Sequence, residues 1–310
     1  MQALLEVTLP VFIIIGAGYA SVWRKLFSSS DVNSLMAFTQ KFAIPCLLFN
    51  AISTLELGEN LDSGFIASFY ISSTICFVLG MIAAIFAFGR STEDAVCIGF
   101  TALFGNTVLL GLSIVDRAYG QSSLDAAFVI AAIHTPYCYI LGITTMEIVR
   151  RKGKSFAENM RSILASVFRN ALMIGILLGF LFNAANIELP QVLASSLDMI
   201  SVAALPAALF ALGGILVEYR PEGDLKIIAT VCFLSLILHP ALAFLISHQV
   251  LGVDHKLART ATLMSAMAPG VNAYVFANMY NRSKRVAASS VLIGTVLSIA
   301  TASMWLILAG

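Results

Sequence analysis

Ten apolar runs, each about as long as a membrane-crossing helix, follow one another along this chain with only short polar breaks. They lie at about 5–23, 32–54, 64–88, 95–116, 123–149, 169–186, 191–217, 225–248, 257–279 and 285–309. A bilayer-spanning helix needs roughly 20 apolar residues, so ten spans use about 200 of the 310 and leave no room for a separate soluble domain. The runs are continuous rather than alternating, which predicts helices and argues against a β-barrel. Only 11% of residues are charged, against about 25% in soluble domains. The net charge of +1 provides no basic field for a nucleic acid. The five cysteines all fall inside apolar runs without a CxxC or Cys/His pattern, so they read as small core residues and no metal site is expected. The first run carries no preceding positive charge and is long enough to span, unlike a cleavable signal.

Lysine and arginine set the expected orientation. With the N-terminus outside, the cytoplasmic segments hold 14 of them, among them Arg90, Arg220, Arg282 and the run Arg150-Arg151-Lys152-Gly153-Lys154. The outer segments hold three, Arg117, Lys256 and Arg259, while Lys41 lies within a span. Both termini are therefore expected outside the cytoplasm. The short loops point to a bacterial plasma membrane.

The chain also repeats itself at an offset of 161 residues. Ala43-Ile44-Pro45-Cys46-Leu47-Leu48-Phe49 returns as Ala204-Leu205-Pro206-Ala207-Ala208-Leu209-Phe210, Gly18-Tyr19 as Gly179-Phe180, and Ala118-Tyr119-Gly120 as Met279-Tyr280-Asn281. The expected organisation is a first five-helix repeat at 1–149, a basic linker at 150–161 and a second repeat at 162–310. Five is odd, so the second repeat enters the membrane from the opposite side. Inverted repeats of this kind are the signature of secondary transporters.

Two repeat-equivalent spans are interrupted at mid-depth. The fourth contains Phe104-Gly105-Asn106-Thr107 and the ninth Ala268-Pro269-Gly270-Val271-Asn272. Proline removes a backbone donor and glycine permits a bend, and such a break survives in hydrocarbon only where protein or a cavity covers it. Each break creates a half-helix N-terminus with free N–H groups and partial positive charge, suited to an anion. Asn106 and Asn272 add amide donors there. Pro45 and Pro206 are expected to shape the helix path rather than to touch a substrate.

These motifs resemble those of the auxin efflux carrier family. Gly105 through Gly111, closing at Ala118-Tyr119-Gly120, is similar to the family's fourth helix. Ala268 through Asn272, followed by Val275-Phe276-Ala277 and Tyr280-Asn281, is similar to its ninth, and Ala43 through Phe49 to its second. The resemblance runs from Leu9 to the C-terminus and places the chain beside bacterial relatives, among them proposed carriers of malonate and other organic acids, within the bile-acid, arsenite and riboflavin transporter superfamily. It implies ten helices in two inverted repeats and broken fourth and ninth helices crossing at the midplane where a substrate carboxylate binds. It also implies an elevator-like motion of a transport domain against a scaffold, and a homodimer through the first, second, sixth and seventh helices. The chain departs from the plant pattern, which has proline where Gly105 and Ser113 stand here, and its central loop is short. These departures point away from auxin itself.

The expected substrate contacts are Gly105, Asn106, Thr107, Pro269, Gly270 and Asn272, with Lys41 to neutralise a carboxylate or to partner an acid such as Asp198. Asp198 is the candidate carrier of a coupling proton, since ionisable residues within spans carry function by default. Asp116 and Glu147, beside Arg117 and Arg150, read as interfacial. His134 and His239 lie in spans without metal-ligand spacing and read as structural hydrogen-bonding residues, with a proton relay as the alternative. No nucleophile with a base, cofactor loop or ligand cluster suggests an enzyme or a cofactor. The expected function is export of small organic anions by a secondary carrier in the lipid bilayer. A sodium-coupled symporter of the bile-acid transporter type is the alternative, although the crossover offers it no carboxylate.

Overall fold

The computed structural model describes residues 2–55, 62–150 and 170–310, without the side chains of residues 2–5, 121 and 122. The basic linker expected at 150–161 and the loop continuing to 168 fall, beyond Arg150, outside the described residues. All regular structure among the described residues is helical. The helices in chain order are α1 (Gln2–Trp23), α2 (Ser29–Ser53), α3 (Ser63–Ala87), α4 (Thr92–Leu103), α5 (107–119), α6 (Gln121–Arg150), α7 (Ala171–Ala184), α8 (Gln191–Leu216), α9 (Leu225–Val250), α10 (His255–Ser265), α11 (Val271–Tyr280) and α12 (Lys284–Ala309). Ten runs become twelve helices because the fourth and ninth are broken, where glycine and proline interrupt them. Seven helices (α1, α2, α3, α6, α8, α9 and α12) are long and apolar enough to cross a membrane, and α7 is a shorter apolar helix. Many large apolar side chains, such as Phe86, Val192, Met199 and Ile307, are exposed. Such exposure suits a lipid-facing surface, because hydrocarbon rather than water is the solvent there.

The chain folds into two compact units, each drawing on both sequence halves. One contains α1 up to Leu9, α3 to α6 and α9 to α12. The other contains α1 from Pro10 onward with α2, α7 and α8.

In the second unit, helices meet backbone to backbone. A Cβ added at Gly18 of α1 would stand 1.9 Å from the Phe210 carbonyl oxygen of α8, so no side chain fits there. At Gly179 of α7 the corresponding Cβ would stand 3.1 Å from the Phe49 carbonyl oxygen of α2. The two contacts exchange under the offset of 161, Gly18 matching Gly179 and Phe49 matching Phe210. Asn183 of α7 donates its side-chain amide to the carbonyls of Ile52, Ser53 and Leu55 at 3.0, 3.2 and 2.8 Å, closing the C-terminal end of α2. Pro45 lies inside α2 directly after a widened turn, Thr39–Ala43, in which the Ile44 N–H reaches back to the Thr39 carbonyl. The wider turn absorbs the clash and the lost donor that proline brings. Pro206 follows an irregular turn at Ala203 in α8. Both prolines thus follow a local irregularity of their helices.

In the first unit the core is aromatic. Phe65, Phe69, Phe100, Phe128 and Phe276 are fully buried, and Phe100 of α4 stacks on Phe276 of α11 at 3.8 Å between ring centroids. α9 repeats the proline device, with a wide turn at Leu234–Leu238 before Pro240. The Leu236 carbonyl, four residues before Pro240, accepts from Trp305 Nε1 of α12 at 2.9 Å. Arg117 ends α5 by donating to the Glu6 and Val7 carbonyls of α1 at 2.8 and 3.1 Å. Pro10 deprives that Glu6 carbonyl of its intrahelical donor. At the other end Glu93 of α4 pairs with Arg150 of α6 and with Arg282, and Ser283 donates to Asp94 at 2.9 Å.

Candidate functional site

The two breaks meet within the first unit. Asn106 N–H donates to the Ala268 carbonyl and Gly270 N–H to the Phe104 carbonyl, both at 2.8 Å. The pair forms an isolated antiparallel bridge between Gly105 and Pro269. Each break thereby satisfies one donor of the other, which an extended segment buried in hydrocarbon requires. Gly270 is needed at this distance. A Cβ there would meet the Phe104 ring at 3.2 Å and Asn106 Cα at 3.4 Å. Pro269 is held from behind by α12, where a Cβ at Gly294 would stand 2.8 Å from its Cδ.

Past the bridge each chain turns into a helix, α5 after Asn106 and α11 after Gly270. Helix starts leave backbone N–H groups without intrahelical partners. At six other starts in this chain a side chain takes up part of that deficit: Ser28, Asp62, Ser91, Asn170, Asp224 and Asp254 each accept from the first turn. The starts at Asn106 and Gly270 have no side-chain cap, yet both residues are buried. The Asn106 amide nitrogen is also buried and without a hydrogen-bond partner. Thr107 is buried in the first turn of α5, and Asn272 is half-buried in the first turn of α11. Among the described residues no side chain caps these two partial positive ends or partners the Asn106 amide nitrogen. An anion is the ligand that such an arrangement stabilises.

Six of the sequence-predicted contacts, Gly105, Asn106, Thr107, Pro269, Gly270 and Asn272, are brought together here. Lys41 and Asp198 belong to the other unit. Lys41 is exposed on α2. Asp198 is exposed on α8 and accepts from the Asn50 amide at 2.9 Å, and the same amide lies 3.3 Å from Ser201 Oγ. Sequence reasoning missed Asn50. Its one available signal is a polar side chain directly following the Ala43 to Phe49 motif.

Sequence reasoning also left unassigned what stands behind the crossover. His134 of α6 is 1% exposed, packs on the Phe104 ring at 4.9 Å between centroids and lies against the Gly105 backbone. Phe69 of α3 contacts both His134 and His239 of α9, at 5.6 and 5.1 Å.

Helices interrupted at mid-depth that pair with each other, in a chain of many apolar spans, define a multi-pass membrane transporter. Comparison with known proteins names the group. The chain belongs to the Membrane transport protein family, whose model matches residues 3–306. It is 23% identical over 302 residues to a protein named "Putative malonate transporter" from Rhizobium meliloti strain 1021, covering 97% of this chain and 94% of that one. It is also 23% identical over 301 residues to "Uncharacterized transporter YfdV" from Escherichia coli K12, covering 96% and 95%. With "Auxin efflux carrier component 5" of Arabidopsis thaliana it shares 22% over 338 residues, covering 95% and 93%. The resemblance to auxin efflux carriers read from the motifs thus extends along nearly the whole chain. The family is one of transporters rather than enzymes.

Proposed function

We propose that this protein carries small organic anions, carboxylates in particular, out of the cell across the plasma membrane by elevator-type alternating access. One observation carries the reading: the half-helix starts at Asn106 and Gly270 are both buried and uncapped, whereas the uncapped starts at Pro190 and Ser283 are not buried and six others are capped. In this reading the carboxylate accepts from the first-turn N–H groups of α5 and α11 and from the Asn106 amide, with Thr107 and Asn272 beside it. The names of the malonate and auxin relatives agree with a carboxylate. The exchanged contacts Gly18–Phe210 and Gly179–Phe49 support two inverted five-helix repeats with boundaries near 149 and 162. The division into two units supports a moving part that carries the crossover. Both termini face outward in this scheme, following the charge asymmetry of the loops. Lys41 and Asp198 are charges of the second unit and are given no part in the anion site.

Thermal stabilisation of the purified protein by a panel of mono- and dicarboxylates, aromatic acids and neutral analogues tests the reading. A ligand that binds only the folded state adds about 2.7 kcal/mol at a hundredfold excess over Kd. A shift by carboxylates alone, lost in Asn106→Ala, is the expected result. Absence of a shift with every acid overturns the anionic substrate. A shift that requires sodium replaces the reading with a sodium-coupled symporter.

A further inference from the structure

His134 and His239 come from helices α6 and α9, both are about 2% exposed or less, and the role assigned to the crossover uses neither. His239 Nε2 faces the Phe69 carbonyl at 3.4 Å. A carbonyl only accepts, so Nε2 is the donor in that contact. His134 differs. Its ring packs on Phe104 and lies against the Gly105 backbone, one residue from Asn106. The Cys138 thiol stands 3.7 and 3.8 Å from its two ring nitrogens. The titratable groups that face it are His239 from α9, Tyr70 from α3, and Cys138 with Tyr137 from its own helix. α4 presents Phe104 and Gly105. Tyr70 is committed to the Ile130 carbonyl at 2.8 Å, and Tyr137 to Thr74. Among these described neighbours there is no carboxylate, lysine or arginine. An imidazolium in this place has no resident counter-charge, and a buried unpaired charge is too costly to persist. A carboxylate at the crossover supplies that counter-charge, next to the residue whose backbone His134 touches.

We propose that His134 binds one proton from solution when a carboxylate occupies the crossover, so that anion and proton are taken up together. The balance is one proton gained per anion bound. A monocarboxylate then binds without net charge, and a dicarboxylate with one negative charge remaining. The proton adds an N–H bond on the free imidazole nitrogen, and no other bond changes. The coupled step runs in whichever direction the summed anion and proton gradients point. This inference rests on the proposed anion site.

The test is isothermal calorimetry on the full chain near neutral pH, with malonate, acetate and benzoate as probes in buffers of different ionisation enthalpy. Proton uptake appears as a binding enthalpy that varies with the buffer's ionisation enthalpy, by linkage. The expected slope is close to one proton for wild type and close to zero for His134→Gln, which still binds the probe, more weakly. His239→Gln keeps the slope. Binding by wild type with zero slope overturns the proposal while leaving the anion site standing, and needs no variant to fold. A slope that persists in His134→Gln, or one lost instead in Asp198→Asn, also overturns it. No heat and no thermal shift from any of the three acids removes the anion site itself and this inference with it.

Discussion

Pro45 in α2 and the crossover at Gly105 and Pro269 both interrupt an apolar helix with residues that break helices, but the interruptions are finished differently. At Pro45 the helix widens for one turn, continues, and has its far end closed by the three bonds of Asn183. At the crossover the helices stop, pair with each other, and restart with bare N-termini and an unpartnered amide. A mid-span proline is therefore no sign of a site by itself. The sign is whether the polar groups it frees are taken up again by the protein. Unsatisfied buried groups cost about 1–3 kcal/mol each, so two buried, uncapped helix starts and an unpartnered amide gathered at one crossing argue that a ligand completes it.

Substitutions can sharpen this contrast. The largest effect is expected at Gly18→Ala in the repaired unit. The new methyl would lie 1.9 Å from a backbone oxygen, which puts it at the upper end of the about 1–3 kcal/mol that overpacking costs. The yield of monodisperse protein and its Tm should fall sharply, whereas Gly16→Ala, which meets nothing within 4 Å, should leave both unchanged or slightly raised. Next comes Asn106→Ala at the unrepaired site. Loss of a hydrogen bond to a charged ligand is worth about 1.5–3 kcal/mol, so carboxylate affinity should drop ten- to a hundredfold with little change in Tm. An equal fall in both would make Asn106 structural and erase the contrast. Asn183→Ala should give the mirror result, a loss of about 1–3 kcal/mol of stability with carboxylate affinity nearly unaltered once the protein is folded. The smallest effect is expected for Arg117→Gln, which removes a two-bond contact to exposed carbonyls. It should lower Tm by a few degrees, consistent with about 1 kcal/mol.

The helices were legible because hydrocarbon length imposes itself on sequence: most boundaries of the ten apolar runs lie within about three residues of observed helices, seven of which are long and apolar enough to cross a membrane. The breaks were legible because glycine, proline and asparagine stand together at the centres of two runs. That the breaks bond to each other was not, since nothing in Phe104 or Ala268 announces a partner more than 150 residues away. Nor could the facing of Lys41 and Asp198 be read. In helices apolar on all sides, periodicity no longer distinguishes inside from outside. The approach of His134 and His239 to one phenylalanine depends on three helices packing together, and single-helix patterns carry no trace of it. The grouping of helices into units drawn from both halves was not legible in the residues, because it is a property of packing and not of order along the chain; only the family resemblance set the first, second, sixth and seventh helices apart.

One helix, α1, is shared by the two units and changes allegiance between Leu9 and Pro10. Its first turns are gripped by the Arg117 guanidinium through the very carbonyl that Pro10 leaves without a donor. Mechanically this is a strut clamped at one end and missing a rung just beyond the clamp. Torque applied between its ends concentrates at the missing rung, where the helix yields most cheaply. The bending compliance of α1 is therefore set at Pro10, not by its length or its apolar surface.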